Sequence, residues 1–271
     1  MPAISTINAD PISPRDYWRE FLKYRSLIWI FAWQEIKSQY AQTYFGVFWA
    51  VLRPLIILSI FTVLFGFLLH IHTTSPYILF AFTGMIAWNF FSQIAANASV
   101  AISTRKDLIS KMYFPKIILP LSKTVVAGVE TLVSFMMFFV LMLILGFPLS
   151  LHIISLPFFI FLNICLGLGI AIWMTVLNIR NRDLHQIVIP IIGMGIWFTP
   201  VFFPTTIIPE QYQCLLYLNP MAGIIAGYRY ALLGDALPGL YFWISFVVVI
   251  VVFVMGVISL VRVEDEIVDC A

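Results

Sequence analysis

The chain has 271 residues, 62% of them hydrophobic and only 10% charged, whereas a soluble domain carries about 25% charged residues and roughly half apolar ones. So little charge excludes a cytosolic enzyme, a secreted domain and a disordered chain, and an outer-membrane barrel would need polar residues alternating toward its lumen. What remains is a helical integral membrane protein; the net charge of +2 says little, but its placement says more.

Residues 1–14 are polar, contain three prolines and lack the basic-then-apolar order of a cleavable signal peptide. Residues 13–40 predict a helix lying on the membrane. Ser13 suits its N-cap, Pro14 its first position, and Asp16 stands three residues after the cap. Trp18, Phe21, Ile28, Trp29, Ala32 and Ile36 recur at helical spacing, while Arg19, Lys23, Gln34, Glu35 and Lys37 prevent a spanning run. The plainer alternative is a juxtamembrane anchor with no other role.

Six apolar runs follow, roughly 50–70, 77–98, 120–146, 153–178, 187–203 and 239–261, each near the length a membrane helix needs. Of the 15 basic residues, all but Arg229 fall on one side of these runs. The positive-inside rule makes that side the cytoplasm and places both termini there. Between the second and third runs, residues 101–114 predict a short charged helix. Thr104 would cap it, Leu108, Ile109, Met112 and Tyr113 would form one face, and Pro115 would stop it. Such a helix can dock a cytoplasmic partner; a bare positive-inside loop is the alternative. The outer connector 204–238 predicts two short helices broken at Pro220 and dipping into the outer leaflet.

No phosphate-binding loop, zinc-protease motif, paired-cysteine motif or nucleophile elbow occurs. Cys165, Cys214 and Cys270 are too scattered for a disulfide framework or a metal site. Glu130 is the one clear carboxylate inside a run and is expected to find a local partner, with Arg53 conceivable. A transporter without internal coupling groups must draw its energy from a separate subunit or be a passive pore.

Phe, Trp and Tyr make up 16% of the chain. Tyr40, Tyr44, Phe48 and Trp49 cluster before the first run, Phe82, Trp88, Phe90 and Phe91 in the second, and Trp197, Phe198, Phe202 and Phe203 in the fifth. The apolar faces of sugar rings pack on aromatic planes, so a path lined this way suits a sliding polymer. Core or lipid-facing packing is the alternative for any one of them.

Several motifs in order resemble the transmembrane subunit of ABC-2 type polysaccharide exporters over roughly residues 20–262. They begin with Gln34-Glu35-Ile36-Lys37-Ser38-Gln39-Tyr40-Ala41-Gln42-Thr43-Tyr44-Phe45-Gly46-Val47-Phe48-Trp49 and Leu52-Arg53-Pro54-Leu55, where Gln34 and Gln39 replace the usual arginines. The stretch Leu108 to Leu121, Arg182-Asp183, Thr199-Pro200-Val201, Asn219-Pro220-Met221 and Gly227-Tyr228-Arg229 complete the set.

The resemblance implies an all-α integral membrane fold of six transmembrane helices. It adds an N-terminal interfacial helix (1–46), a six-helix domain (47–262) and a short acidic cytoplasmic tail (263–271). It implies a homodimer with two copies of a cytoplasmic ABC ATPase, exporting lipid-linked polysaccharide, O-antigen foremost, across the inner membrane. ATP and Mg would sit on the ATPase, with no cofactor or metal in this chain and no nucleic-acid partner. Tyr40, Tyr44, Phe48, Trp49, Phe82, Trp88, Phe91, Trp197 and Phe198 are then the expected channel residues. Arg105, Lys106, Asp107, Leu108, Ile109, Met112 and Tyr113 would couple to the ATPase. Tyr212, Leu216, Tyr217, Asn219, Pro220, Tyr228 and Arg229 would form a periplasmic gate. The alternatives are an ABC-2 exporter of a drug or small lipid, a membrane lipid enzyme using His70, His72, His152 or His185, and a proton-coupled flippase using Glu130.

Overall fold

A computed structural model of the chain describes residues 14–40, 48–70, 73–105, 114–180 and 184–269. Every regular element among the described residues is helical, and no strand occurs there. Four helical stretches are long and apolar enough to cross a membrane, and two shorter apolar stretches, Pro54–Leu68 and Ile189–Phe198, lie between them.

The N-terminal segment is two helices, α1 (Pro14–Tyr24) and α2 (Ser26–Tyr40), broken at Arg25. Helix α3 (Phe48–Phe61) contains Pro54 and then widens into a π-helical stretch, Thr62–Leu68. That stretch closes on a bond from the Leu69 amide to the Leu64 carbonyl, 3.1 Å. Helix α4 (Tyr77–Ser99) starts after Pro76, whose fixed φ and missing N–H suit a helix entrance. Helix α5 (Ile118–Ile144) ends in a Schellman motif. Gly146 takes φ of 63°, its amide donates to the Leu143 carbonyl, and the Phe147 amide donates to Met142.

A 3-10 turn, Leu151–Ser155, capped by the Ser150 hydroxyl, leads into α6 (Leu156–Arg180). Then come α7 (Leu184–Met194), the short outer helices α8 (Glu210–Tyr217) and α9 (Pro220–Leu233), and α10 (Leu240–Asp269).

Helix α4 is the centre of the packing. Every residue from Leu79 to Trp88 is buried, with α5 and α6 on its flanks and α9 against it. Helix α6 also packs along α10, and α2 runs along α5. The α6–α10 crossing is backbone against backbone: a Cβ on Gly256 would stand 2.7 Å from the Gly169 carbonyl oxygen. Small residues at such a crossing let helices gain dispersion contact where lipid supplies no hydrophobic drive. By contrast α5 and α10 present open apolar faces, among them Met136, Leu143 and Ile144 on α5 and Trp243, Val247 and Val254 on α10.

Three expectations change. The segment 13–40 is not one continuous helix. The helix expected over 101–114 is, in its described part, a 3-10 turn Ser103–Arg105. Thr104 does not cap it, because its hydroxyl donates backward to the carbonyls of Val100 (2.9 Å) and Ala101 (3.3 Å); a threonine hydroxyl competes in this way for carbonyls one turn earlier. The break between the outer helices falls before Pro220: Asn219 caps α9 by accepting from the Met221 amide at 3.1 Å, and Pro220 takes the first turn. Ser13 lies outside the described residues.

Candidate functional site

Two clusters stand at opposite ends of the bundle. The first joins α2 to the ends of the loop between α4 and α5. Glu35 on α2 accepts from Lys123 of α5 at 2.7 Å and pairs with Arg105 at 3.5 Å. The Arg105 guanidinium also lies over the Phe31 ring at 4.8 Å. Phe31 meets Phe114 with ring centroids 6.0 Å apart. Arg105 and Phe114 thus sit where the loop leaves and re-enters the described structure, and one turn of α2 holds both. Farther along α2, the Gln39 side-chain amide donates to the Glu130 carboxylate at 2.9 Å.

The second cluster surrounds the turn Thr199–Phe203, between α7 and α8. Two consecutive carbonyls of that turn are held from different helices. Arg229 of α9 donates from Nη2 to Val201 O at 2.8 Å, and the Tyr77 hydroxyl of α4 donates to Phe202 O at 2.8 Å. Arg229 is only 4% exposed. Its guanidinium carbon lies 3.4 Å from the Phe80 ring centroid. No carboxylate stands within salt-bridge distance of it among the described residues.

Space for this guanidinium requires Gly84, since a Cβ there would fall 2.7 Å from Val201 O and 3.2 Å from Nη2. Asn219 ties in the other end of the turn, donating to the Thr199 hydroxyl at 2.8 Å while its oxygen caps α9. Ser245 of α10 donates to the Tyr217 carbonyl at 2.7 Å. A buried polar network this fully paired fixes one geometry.

An aromatic wall continues from this turn. Phe202 stacks on Phe61 with centroids 3.7 Å apart and planes at 7°, and Trp197 packs beside Phe61 at 5.7 Å. Phe65, one turn into the π-helical stretch, adds a further stacked ring at 5.8 Å from Phe61. Trp197 and Phe198 are 60% and 78% exposed.

The expected channel residues therefore divide. Phe82, Trp88 and Phe91 are buried within α4's packing, Phe82 against Phe138 and Trp88 against Phe91. Trp197 and Phe198 face outward. Tyr44 lies outside the described residues, as do the side chains of Tyr40, Phe48 and Trp49.

Of the expected coupling residues Arg105 is described, and Lys106, Asp107, Leu108, Ile109, Met112 and Tyr113 lie outside. Of the expected gate residues, Tyr217, Tyr228 and Arg229 are buried, Asn219 and Pro220 open α9, and Leu216 is half-buried. Tyr212 is 56% exposed. Sequence reasoning missed Glu35, Lys123, Tyr77, Phe61 and Phe65. Only the spacing of Phe61 and Phe65, one helical turn apart, offered a signal.

A family model described as ABC-2 type transporter matches residues 26–233. The chain is 27% identical over 226 residues to an O-antigen export system permease protein of Myxococcus xanthus, covering 81% of this chain and 85% of that protein. It is 25% identical over 224 residues to an O-antigen export system permease protein of Klebsiella pneumoniae, covering 82% and 86%. It is also 28% identical over 202 residues to a polysialic acid transport protein of Escherichia coli, covering 71% and 75%. The chain belongs to the ABC-2 type transporter family, as a multi-pass membrane permease subunit and not the ATPase.

Proposed function

We propose that two copies of this chain form the membrane channel of an exporter that moves lipid-linked polysaccharide, O-antigen foremost, out of the cytoplasm. The observation that carries this reading is the outward-facing aromatic wall of Phe61, Phe65, Trp197 and Phe202 beside the turn 199–203. Stacked rings offer a sugar polymer modest contacts that repeat as it slides. The likeness to permeases named for O-antigen and polysialic acid supports the same substrate class. Because Phe82, Trp88 and Phe91 are internal, they back this wall, and Trp197 and Phe198 carry the contact; Tyr40, Tyr44, Phe48 and Trp49 would extend it at the cytoplasmic end.

In this arrangement the stretches through Pro54–Leu68 and Ile189–Phe198 complete six spans, both termini face the cytoplasm, and α1 and α2 lie along the inner leaflet. Residues 47–262 form the transmembrane domain, flanked by the N-terminal segment and the acidic tail. Two ATPase subunits, carrying ATP and Mg, press on residues 105–113, and Glu35 passes the movement to α2. At the outer end, α8 and α9 form the gate. Tyr212 and Leu216 are its movable edge, and Tyr217, Asn219, Pro220, Tyr228 and Arg229 its fixed root.

The test is export in cells carrying the cognate ATPase and a polymer-producing pathway. Trp197→Ala with Phe198→Ala is expected to cut surface polymer, long chains most, with lipid-linked polymer accumulating inside. Unchanged polymer length and amount at normal protein level, or ATPase activity stimulated by a small lipophile and not by glycolipid, would overturn it.

A further inference from the structure

We propose that the outward face of α1 and α2 is a binding surface for anionic phospholipid headgroups, and that its engagement tunes ATPase coupling through Glu35. This rests on the placement of α1 and α2 along the inner leaflet, and it adds a ligand class and a regulatory consequence.

Trp18 and Leu22 stand one turn apart on α1, and Trp29 and Trp33 one turn apart on α2. All four are well exposed, between 57% and 62%. Counted through the break at Arg25, at about 100° per residue, they fall within about 60° of one another. Phe31 and Ala32 are buried on the opposite side, where Phe21, Tyr24, Leu27 and Ile28 pack against the body of the protein. The tryptophan stripe is therefore the side of this helix pair that the rest of the chain leaves uncovered.

Its charge identifies the occupant. Arg19, Lys23, Arg25 and Lys37 are all exposed beside the stripe. The described acids of the pair, Glu20 and Glu35, are half-buried on the docked side, and Glu35 is engaged by Lys123 and Arg105. Indole rings favour the headgroup level of a bilayer, and exposed lysines and arginines favour anionic lipid over zwitterionic lipid. The docked side holds Arg105 through both Phe31 and Glu35. Whatever seats the outer side thus also sets the position of the loop that begins at Arg105.

The experiment uses the whole transporter, this chain with its ATPase, in vesicles of phosphatidylcholine alone or with phosphatidylglycerol added. ATPase turnover is expected to rise several-fold with phosphatidylglycerol and to lose that rise in high salt. Combined Arg19→Gln, Lys23→Gln and Arg25→Gln should flatten the response, since each cation removed weakens binding to an anionic surface by roughly fivefold. A response of equal size in the triple variant, or none in the wild type, overturns the proposal.

A separate arm places a fluorophore at Trp29→Cys, with the native cysteines replaced by alanine, and quenches it with spin-labelled lipid. Quenching in both kinds of vesicle with a flat ATPase response defeats the anionic-lipid inference alone. No quenching defeats the inner-leaflet placement itself, and protection of the label only when the ATPase is added assigns the face to that protein instead.

Discussion

Arg229 separates two ways in which a buried cation can act. It is 4% exposed and pairs with no carboxylate among the described residues. Burying an unpaired charge costs several kcal/mol, on the order of what is lost when one partner of a buried pair is removed. The offset comes from geometry: a charged hydrogen bond to Val201 O at 2.8 Å, worth about 1.5–3 kcal/mol, and a ring contact with Phe80 at 3.4 Å, worth about 2 kcal/mol when desolvated.

Arg229→Met removes the burial cost together with both offsets and leaves the Val201 carbonyl unpaired, a loss of about 1–3 kcal/mol. The net change should stay within about 2 kcal/mol. Arg229→Lys keeps the charge, but a compact ammonium cannot reach the carbonyl and cover the ring together, so the change should approach about 3–5 kcal/mol. Thermal unfolding of the detergent-solubilised complex, followed by size exclusion, should rank wild type first, Met second and Lys last. A Lys variant as stable as the Met variant would show that Arg229 acts as a charge and not as a planar stacked donor, and the reasoning would fail.

Trp88→Ala should lower stability by about 3–5 kcal/mol by opening a core cavity, whereas Trp197→Ala should change it by about 0.5 kcal/mol or less and act on export; equal melting temperatures for the two would contradict their placement. Glu35→Gln should leave folded protein unchanged to within about 1 kcal/mol, because the pair is partly exposed, yet lower transport-coupled ATPase activity, and undiminished coupling would remove Glu35 from the path. Asn219→Ala should cost about 1 kcal/mol for the lost cap, plus the bond to Thr199, so a melting shift no larger than that of Asn219→Ser would argue against the Thr199 tie. Gly256→Val should disrupt the α6–α10 crossing and reduce monodisperse protein on size exclusion, whereas Gly193→Val, where a Cβ meets nothing within 4 Å, should not.

The long helices were legible because nothing but a span explains apolar runs of that length, and Asn219-Pro220 announced the break between the outer helices by its chemistry. The interruption at Arg25 was not, since Tyr24-Arg25-Ser26 contains neither Gly nor Pro. The aromatic residues divided for a related reason. In a helix apolar all round, periodicity does not tell core from surface, so Phe91 inside and Phe198 outside look alike in sequence. The contact between Glu35 and Lys123 joins positions 88 residues apart, and only the folded chain brings them together. Thr104 was misread because the same hydroxyl can cap a helix ahead of it or bond to the turn behind it.

The π-helical stretch Thr62–Leu68 has a genetic consequence. Each π-turn holds one residue more than an α-turn, so this part of the chain carries length that a regular helix would not need. Deleting one residue here would let the stretch tighten to α geometry without losing a hydrogen bond, and would turn everything beyond it by about 100°. Gly66, where a Cβ would sit 3.1 Å from the Tyr77 ring, would then no longer face that ring. A single-codon deletion in this stretch should therefore yield a folded protein with a displaced outer turn, whereas the same deletion inside α4 would shift a helix buried on every side.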